Sequence, residues 1–196
     1  MNLALVSAFG PGSLVLIHKF SELKVRIPVI FIDTLHHFPE TLDFVEHVRS
    51  RYDLDLRVFR PADRREAFEE MHGPCLWERD LDRYQQLTKV EPFQRAIAGL
   101  SAYITGRRRD QSTTRADLDV VEFGTPVRIN PLASWTREQV WAFIRAHDIP
   151  YNPLHDAGYA SIGDAPLTTP IAPNEDERAG RWRGYGRLEC GIHRGS

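Results

Sequence analysis

Leu3-Ala4-Leu5-Val6-Ser7-Ala8-Phe9-Gly10-Pro11-Gly12-Ser13 is the stretch that decides the fold class of this chain. Its first four residues are a continuous apolar run, the pattern of a strand covered on both faces. A turn of small residues follows, and Ser13 to Leu23 reads as a helix. Working outward, Pro28 to Ile32 is a second buried strand that stops at Asp33-Thr34. Pro39-Glu40 opens the next helix, with proline at its first position and a carboxylate in its first turn. Leu42, Val45 and Val48 give that helix an apolar face.

The alternation continues. Leu56 to Phe59 reads as a strand, Asp63 to Met71 as a helix, and Glu91 to Leu100 as a helix begun by Lys89-Val90-Glu91-Pro92. Ala102 to Thr105 is a strand ending at Gly106; Val120 to Phe123 and Val127 to Ile129 are strands near an edge. Thr136-Arg137-Glu138-Gln139 has the form of a capping box, with Val140, Phe143 and Ile144 on one helical face. This order predicts an α/β protein: a mostly parallel sheet with helices on both faces. Residues 1–150 form the core; residues 151–196, dominated by Pro, Gly, Asp and Arg, read as a loop-rich segment of the same domain ending in a mobile tail.

The chain has 196 residues, enough to bury a full core, and is 42% hydrophobic and 27% charged. With 25 basic against 27 acidic residues, no overall positive field suits a nucleic-acid polymer. The longest purely apolar runs, Leu14 to Ile17 and Val29 to Ile32, are too short to span a membrane. Cys75 and Cys190 are the only thiols, which excludes a four-cysteine metal or cluster site within one chain and fits a reducing, cytoplasmic setting.

In open α/β sheets ligands bind beyond the carboxyl ends of the strands, which directs attention to Ser7–Ser13, Asp33–His37 and Gly106–Arg115. The first reads either as an ordinary strand-to-helix turn or as a backbone cradle for an anion; it is neither a Walker loop nor GxGxxG. The third carries Arg107, Arg108, Arg109 and Arg115, planar forks suited to phosphate or sulfate oxygens, or else a solvated basic loop. His36 and His37 follow a strand but lack two further ligands for a metal, while His18, His47 and His147 fall on helices as surface or core-edge residues. Lys89 is either part of a helix cap or aimed at an anion. Cys190 lies among cations, where neighbouring Arg or protonated His lowers a thiol's pKa; Cys75 has the apolar neighbours of a packed cysteine.

These pieces together resemble one family, the phosphoadenosine 5'-phosphosulfate (PAPS) reductases. The likeness runs through Ser7-Ala8-Phe9-Gly10, Phe31 to Thr41, Lys89-Val90-Glu91-Pro92, Gly106-Arg107-Arg108-x-x-Gln111 and Ile129-Asn130-Pro131-Leu132. It continues through Pro150 to Leu154, Gly158-Tyr159-x-Ser161-Ile162-Gly163-Asp164 and the terminal Glu189-Cys190-Gly191-Ile192-His193. With Asp176 to Trp182 the chain looks especially like the fungal-type branch. The resemblance implies an adenine-nucleotide α-hydrolase-like fold, related to ATP pyrophosphatases, and thioredoxin-dependent reduction of PAPS in sulfate assimilation. It implies Cys190 as nucleophile, Ser7, Ala8, Phe9 and Gly10 around the phosphosulfate, and Asp33 and Thr34 at the nucleoside. Lys89, Arg107, Arg108 and Gln111 would hold anionic groups, with Arg178, Arg181, Arg183 and His193 arriving on the tail.

A sister group reduces adenosine 5'-phosphosulfate (APS) with a four-iron cluster on two cysteine pairs. Tyr84 and Gln85 stand at the first pair here, and Asp164 and Leu167 at the second, so no bound cofactor is expected, with reduced thioredoxin as donor. The family's upstream helical segment does not precede the first strand, which leaves homodimer formation open. Rival readings are cluster-free APS reduction, a catalytically silent nucleotide-binding relative, and an adenylating ligase. The altered first loop argues against the ligase, and the intact Glu189-Cys190-Gly191 argues against the silent relative.

Overall fold

A computed structural model describes residues 2–185 of the chain. Along the sequence run β1 (Leu3–Val6), α1 (Pro11–Glu22), β2 (Val29–Ile32), α2 (Pro39–Tyr52), β3 (Leu56–Phe59) and α3 (Arg65–His72). They are followed by α4 (Leu76–Arg79), α5 (Leu81–Gln85), a π turn at Gln86–Val90, α6 (Glu91–Ile97), β4 (Ala102–Ile104), β5 (Val121–Glu122), β6 (Val127–Ile129) and α7 (Arg137–Ala146). The six strands lie in the order β3-β2-β1-β4-β6-β5, all pairs parallel except the edge pair β5–β6.

Strand side chains alternate faces, and the two faces take different helices. Leu5, Val29, Phe31 and Ile104 join Leu14 and Ile17 of α1, Val45 and Val48 of α2, and Val140 and Ile144 of α7. The intervening residues Ala4 and Ile30 meet Ala96 of α6 on the other face. Burying each large aliphatic side chain of α1 contributes roughly 1.5–3 kcal/mol, which anchors the helix against the strands it follows. The start of α7 is fixed by the expected box: the Gln139 amide donates to Thr136 Oγ1 at 3.2 Å, and the Thr136 amide donates to Gln139 Oε1 at 2.8 Å.

Three details differ from the sequence reading. Leu42 is exposed, and Thr41, Phe44, Val45 and Val48 form the inner face of α2. Lys89 to Pro92 starts no helix, because residues 81–97 are continuously helical. Proline inside a helix removes one i→i−4 hydrogen bond, and the π turn immediately before α6 absorbs that loss at Pro92. The third difference is α4 and α5 themselves, which build a second core of Phe68, Leu76, Trp77, Tyr84, Leu167 and Trp182, with Cys75 packed at its margin.

Residues 151–185 hold only short 3-10 turns and isolated bridges, including His37 to Asp164 and Thr168 to Arg181. The tail expected to be mobile, with Cys190 and His193, lies outside the described residues beyond position 185. Among the described residues no helix is long and apolar enough to cross a membrane.

Candidate functional site

The order 3-2-1-4 means that the connections leave β1 and β4 in opposite directions, which opens a crevice at the carboxyl ends of those two strands. A cleft lies there, walled by residues 6–13 after β1, residues 105–107 after β4, and Lys89, Asn152, His155, residues 160–163 and residues 177–178 and 181–182. Its floor is backbone packed on backbone. A Cβ on Gly12 would stand 2.5 Å from the Gly106 carbonyl oxygen, and one on Gly106 would stand 2.6 Å from the Ser13 nitrogen. Only glycine fits at either position.

The first loop is preorganised. The Phe9 amide donates to Ser7 Oγ at 2.9 Å, and Phe9 adopts φ 54°, a left-handed conformation disfavoured for a side chain of its size. Its ring is buried edge-on against Phe31 at 5.7 Å, which holds the turn. No side chain caps α1 at Gly10, so the first amides of that helix and its dipole face the region of the cleft.

Beside that loop sits a buried polar cluster that joins Thr34 and Lys89, both expected at the site, to Tyr84 and Asp164, which the sequence marked only as positions without a cysteine. Asp164 is fully buried; its Oδ1 accepts from Thr34 Oγ1 at 2.8 Å, and its Oδ2 accepts from Tyr84 Oη at 3.1 Å and lies 2.9 Å from Lys89 Nζ. Burial alone would raise the Asp164 pKa, but the positive charge of Lys89 overrides it and holds the carboxyl well below the usual range. Burial, then the Asp164 charge, pushes the Tyr84 phenol far up, so it stays a neutral donor. Tyr84, Gln85, Asp164 and Leu167, which the resemblance places at the sister group's cysteine positions, are all buried, and Tyr84 touches Asp164 directly.

The two histidines part company. His37 lines the cleft, stacks on Phe31 and donates from Nε2 to the Ile32 carbonyl at 3.1 Å, with its pKa lowered by burial. His36 is a core residue, set edge-on among Phe68, Trp77 and Tyr84, and its pKa too is lowered by burial.

Of the residues expected at the site, Ser7, Ala8, Phe9, Gly10, Thr34, Lys89, Arg107, Gln111, Arg178 and Arg181 line the cleft. Three do not, and each has a physical reason. Asp33 accepts from the Leu35 amide at 2.9 Å and from Arg60 Nε at 2.7 Å, so its carboxylate fixes the turn after β2. Arg108 is buried and gives its guanidinium to Asp110 and Glu177, each at 2.9 Å. Arg183 faces solvent and pairs with Glu175 at 2.8 Å. Arg115, read from sequence as a fork suited to an anion, also lines the cleft, as do Asn152, Glu177 and Trp182 from the matching motifs; His155 lines it with no sequence signal pointing to it.

Lys89, Arg107, Arg115, Arg178 and Arg181 stand on the cleft wall; Glu177, whose pKa burial pushes up, is the carboxylate on the wall itself, while behind it Asp164 pairs with Lys89 and Glu122 with Arg107 at 3.0 Å. Arg181 and Arg178 lie over the Trp182 ring at 4.5 Å and 5.4 Å, holding the returning segment against the second core. Fold and cleft define an α/β protein with a cation-lined crevice at the switch point of its sheet.

The chain belongs to the phosphoadenosine phosphosulfate reductase family: the model of the phosphoadenosine phosphosulfate reductase domain matches residues 2–170. A phosphoadenosine phosphosulfate reductase from Emericella nidulans is 48% identical over 95% of this chain, which spans 65% of that relative's length. An adenosine 5'-phosphosulfate reductase from Halalkalibacterium halodurans is 41% identical, covering 98% of this chain and 85% of its own. The crystal structure of a phosphoadenylyl-sulfate reductase from Candida auris, in complex with phosphate, superposes with TM-score 0.79 at 42% identity, over 86% of this chain and 84% of that one. The expected adenine-nucleotide α-hydrolase-like architecture is the one found.

Proposed function

We propose that this chain reduces PAPS to sulfite and 3',5'-ADP, using reduced thioredoxin in the cytoplasm. The observation that carries this reading is the cationic wall of the cleft, placed where the sheet's strand order reverses and lined by the expected loop Ser7 to Gly10. A ligand with a phosphosulfate and a 3'-phosphate needs several fixed donors, and Lys89, Arg107, Arg178 and Arg181 supply them beside the Gln111 amide. The likeness to a reductase solved with phosphate supports the same ligand chemistry.

In the proposed reaction the Cys190 thiolate attacks the sulfuryl sulfur, the S–O bond to the nucleotide breaks, and 3',5'-ADP leaves with the bonding pair. The sulfur is then held as a thiosulfonate on Cys190. A thioredoxin thiolate attacks Cys190 Sγ and expels sulfite; the second thioredoxin thiol resolves the mixed disulfide and so provides the two electrons. Charge develops on the leaving phosphate, which is where fixed cations lower the barrier. His193 would accompany Cys190 on the closing segment, and a second copy of the chain is a further proposed partner.

Cluster-free APS reduction is the second reading, favoured by the 41% identical relative of that name. Thioredoxin-dependent sulfite release, measured side by side from PAPS and APS, decides. Sulfite from PAPS with little from APS is the expected result; the reverse preference overturns the substrate assignment, and no release from either overturns the activity.

A further inference from the structure

Away from the cleft, α1 and α7 meet in the larger core, and three potential metal ligands converge where their C-terminal ends come together. His18 and Glu22 are one helical turn apart on α1 and therefore share a face. His147 is the residue that ends α7. We propose that His18, Glu22 and His147 form a site for a divalent transition metal, with zinc the ion that the donor set suits, clipping the ends of the two helices together.

One ligand atom from each residue lies within 4.8 Å of the others. His18 Nε2 is 3.4 Å from Glu22 Oε1, and His147 Nδ1 is 3.9 Å from that same oxygen. In a tetrahedral site with metal–ligand bonds of about 2.0–2.2 Å, neighbouring ligand atoms stand about 3.3–3.6 Å apart. The first distance already fits, and Glu22 and His147 are exposed enough to swing the rest of the way. Two imidazoles and a carboxylate leave a fourth position for water, the pattern of a three-ligand zinc site.

Two further observations favour an ion over a simple imidazolium–carboxylate pair. His18 Nε2 is shielded from solvent and makes no hydrogen bond among the described residues, although the carboxylate is close. The other nitrogen, Nδ1, is 3.2 Å from Tyr52 Oη; as donor to that oxygen it fixes the tautomer that leaves Nε2 a lone pair for a metal. His147 is held in turn by stacking on Phe143 at 4.1 Å. None of the three ligands lines the cleft, so loading can be read without reference to activity.

The test uses the whole chain, freed of metal with a chelator, and zinc or cobalt salts alone. Zinc should raise Tm and bind once per chain in calorimetry, magnesium should do neither, and cobalt should give tetrahedral d–d bands without thiolate charge transfer. Glu22→Gln and His147→Ala should each weaken zinc binding at least tenfold. If His147→Ala fails to fold, His147→Phe removes the ligand while keeping an aromatic ring on Phe143. Absence of a zinc effect in the parent chain overturns the proposal. So does undiminished affinity in Glu22→Gln, or a cobalt spectrum that places the ion on a cysteine.

Discussion

Asp164→Asn is the substitution that most directly tests the account of the cleft's buried cluster. The native carboxylate is fully buried and serves three donors, Thr34 and Tyr84 hydroxyls and the Lys89 ammonium, itself almost entirely enclosed. An amide keeps the shape but removes the charge, and its NH2 must face at least one of those donors. Removing one partner of a buried pair costs about 3–5 kcal/mol, because the other charge stays buried and uncompensated. For a domain of this size that corresponds to about 6–20 °C in Tm. Urea unfolding at neutral pH measures the loss. Lys89→Met should cost a similar amount, and the double variant should be less damaged than the sum of the two by at least about 1 kcal/mol. The folded Asp164 carboxyl titrates below its ordinary 3.8, so its contribution is complete above that value and disappears as pH falls further. The deficit of Asp164→Asn should therefore stay constant from neutral pH down to about pH 5 and shrink only in stronger acid. A loss under about 1 kcal/mol, or strict additivity in the double variant, would refute the idea that this ion pair organises the cleft.

Cys190→Ser should abolish sulfite release while nucleotide binding persists. In the parent chain without thioredoxin, PAPS should yield one 3',5'-ADP per site and a sulfonate mass on the Cys190 peptide, a burst that Cys75→Ser leaves intact; an adduct on Cys75 would show the nucleophile to be wrong. Arg107→Ala should weaken PAPS binding roughly tenfold or more, since a charge-assisted phosphate contact is worth about 1.5–3 kcal/mol, and calorimetry against nucleotides with and without the 3'-phosphate reads it. Arg108→Ala should instead act on stability, because its guanidinium is buried between Asp110 and Glu177 and does not line the cleft, whereas Arg107, bonded to Glu122 at 3.0 Å, lines it; a melting curve separates the two effects. Gly106→Ala should destabilise the chain by about 1–3 kcal/mol through the clash with the Ser13 backbone, and an unchanged Tm would show that the floor can relax.

What the sequence carried and what it did not divide along a physical line. Apolar runs and the Thr136–Gln139 box act within a few residues, and each could be read locally, whereas the need for glycine at positions 12 and 106 comes from their packing on each other, far apart in the sequence. The helices at residues 76–90 could not, since Pro74 and Pro92 punctuate the segment and a π turn, which has no sequence period of its own, carries the chain past the second proline. The same line runs through the site. An arginine after a strand suggests an anion whatever its neighbours, yet Arg108 is neutralised by Glu177, 69 residues away. Asp164 could be noticed only as a missing cysteine, because its role comes from Thr34 and Tyr84, 130 and 80 residues distant. At the positions that the resemblance matches to cluster cysteines, this chain has a buried carboxylate and a phenol. The Lys89 charge is shared with that buried carboxylate, which leaves Arg107, Arg115, Arg178 and Arg181 to supply the remaining positive field of the cleft wall. Two of these, Arg178 and Arg181, stand on the segment that leads, in sequence, to Cys190.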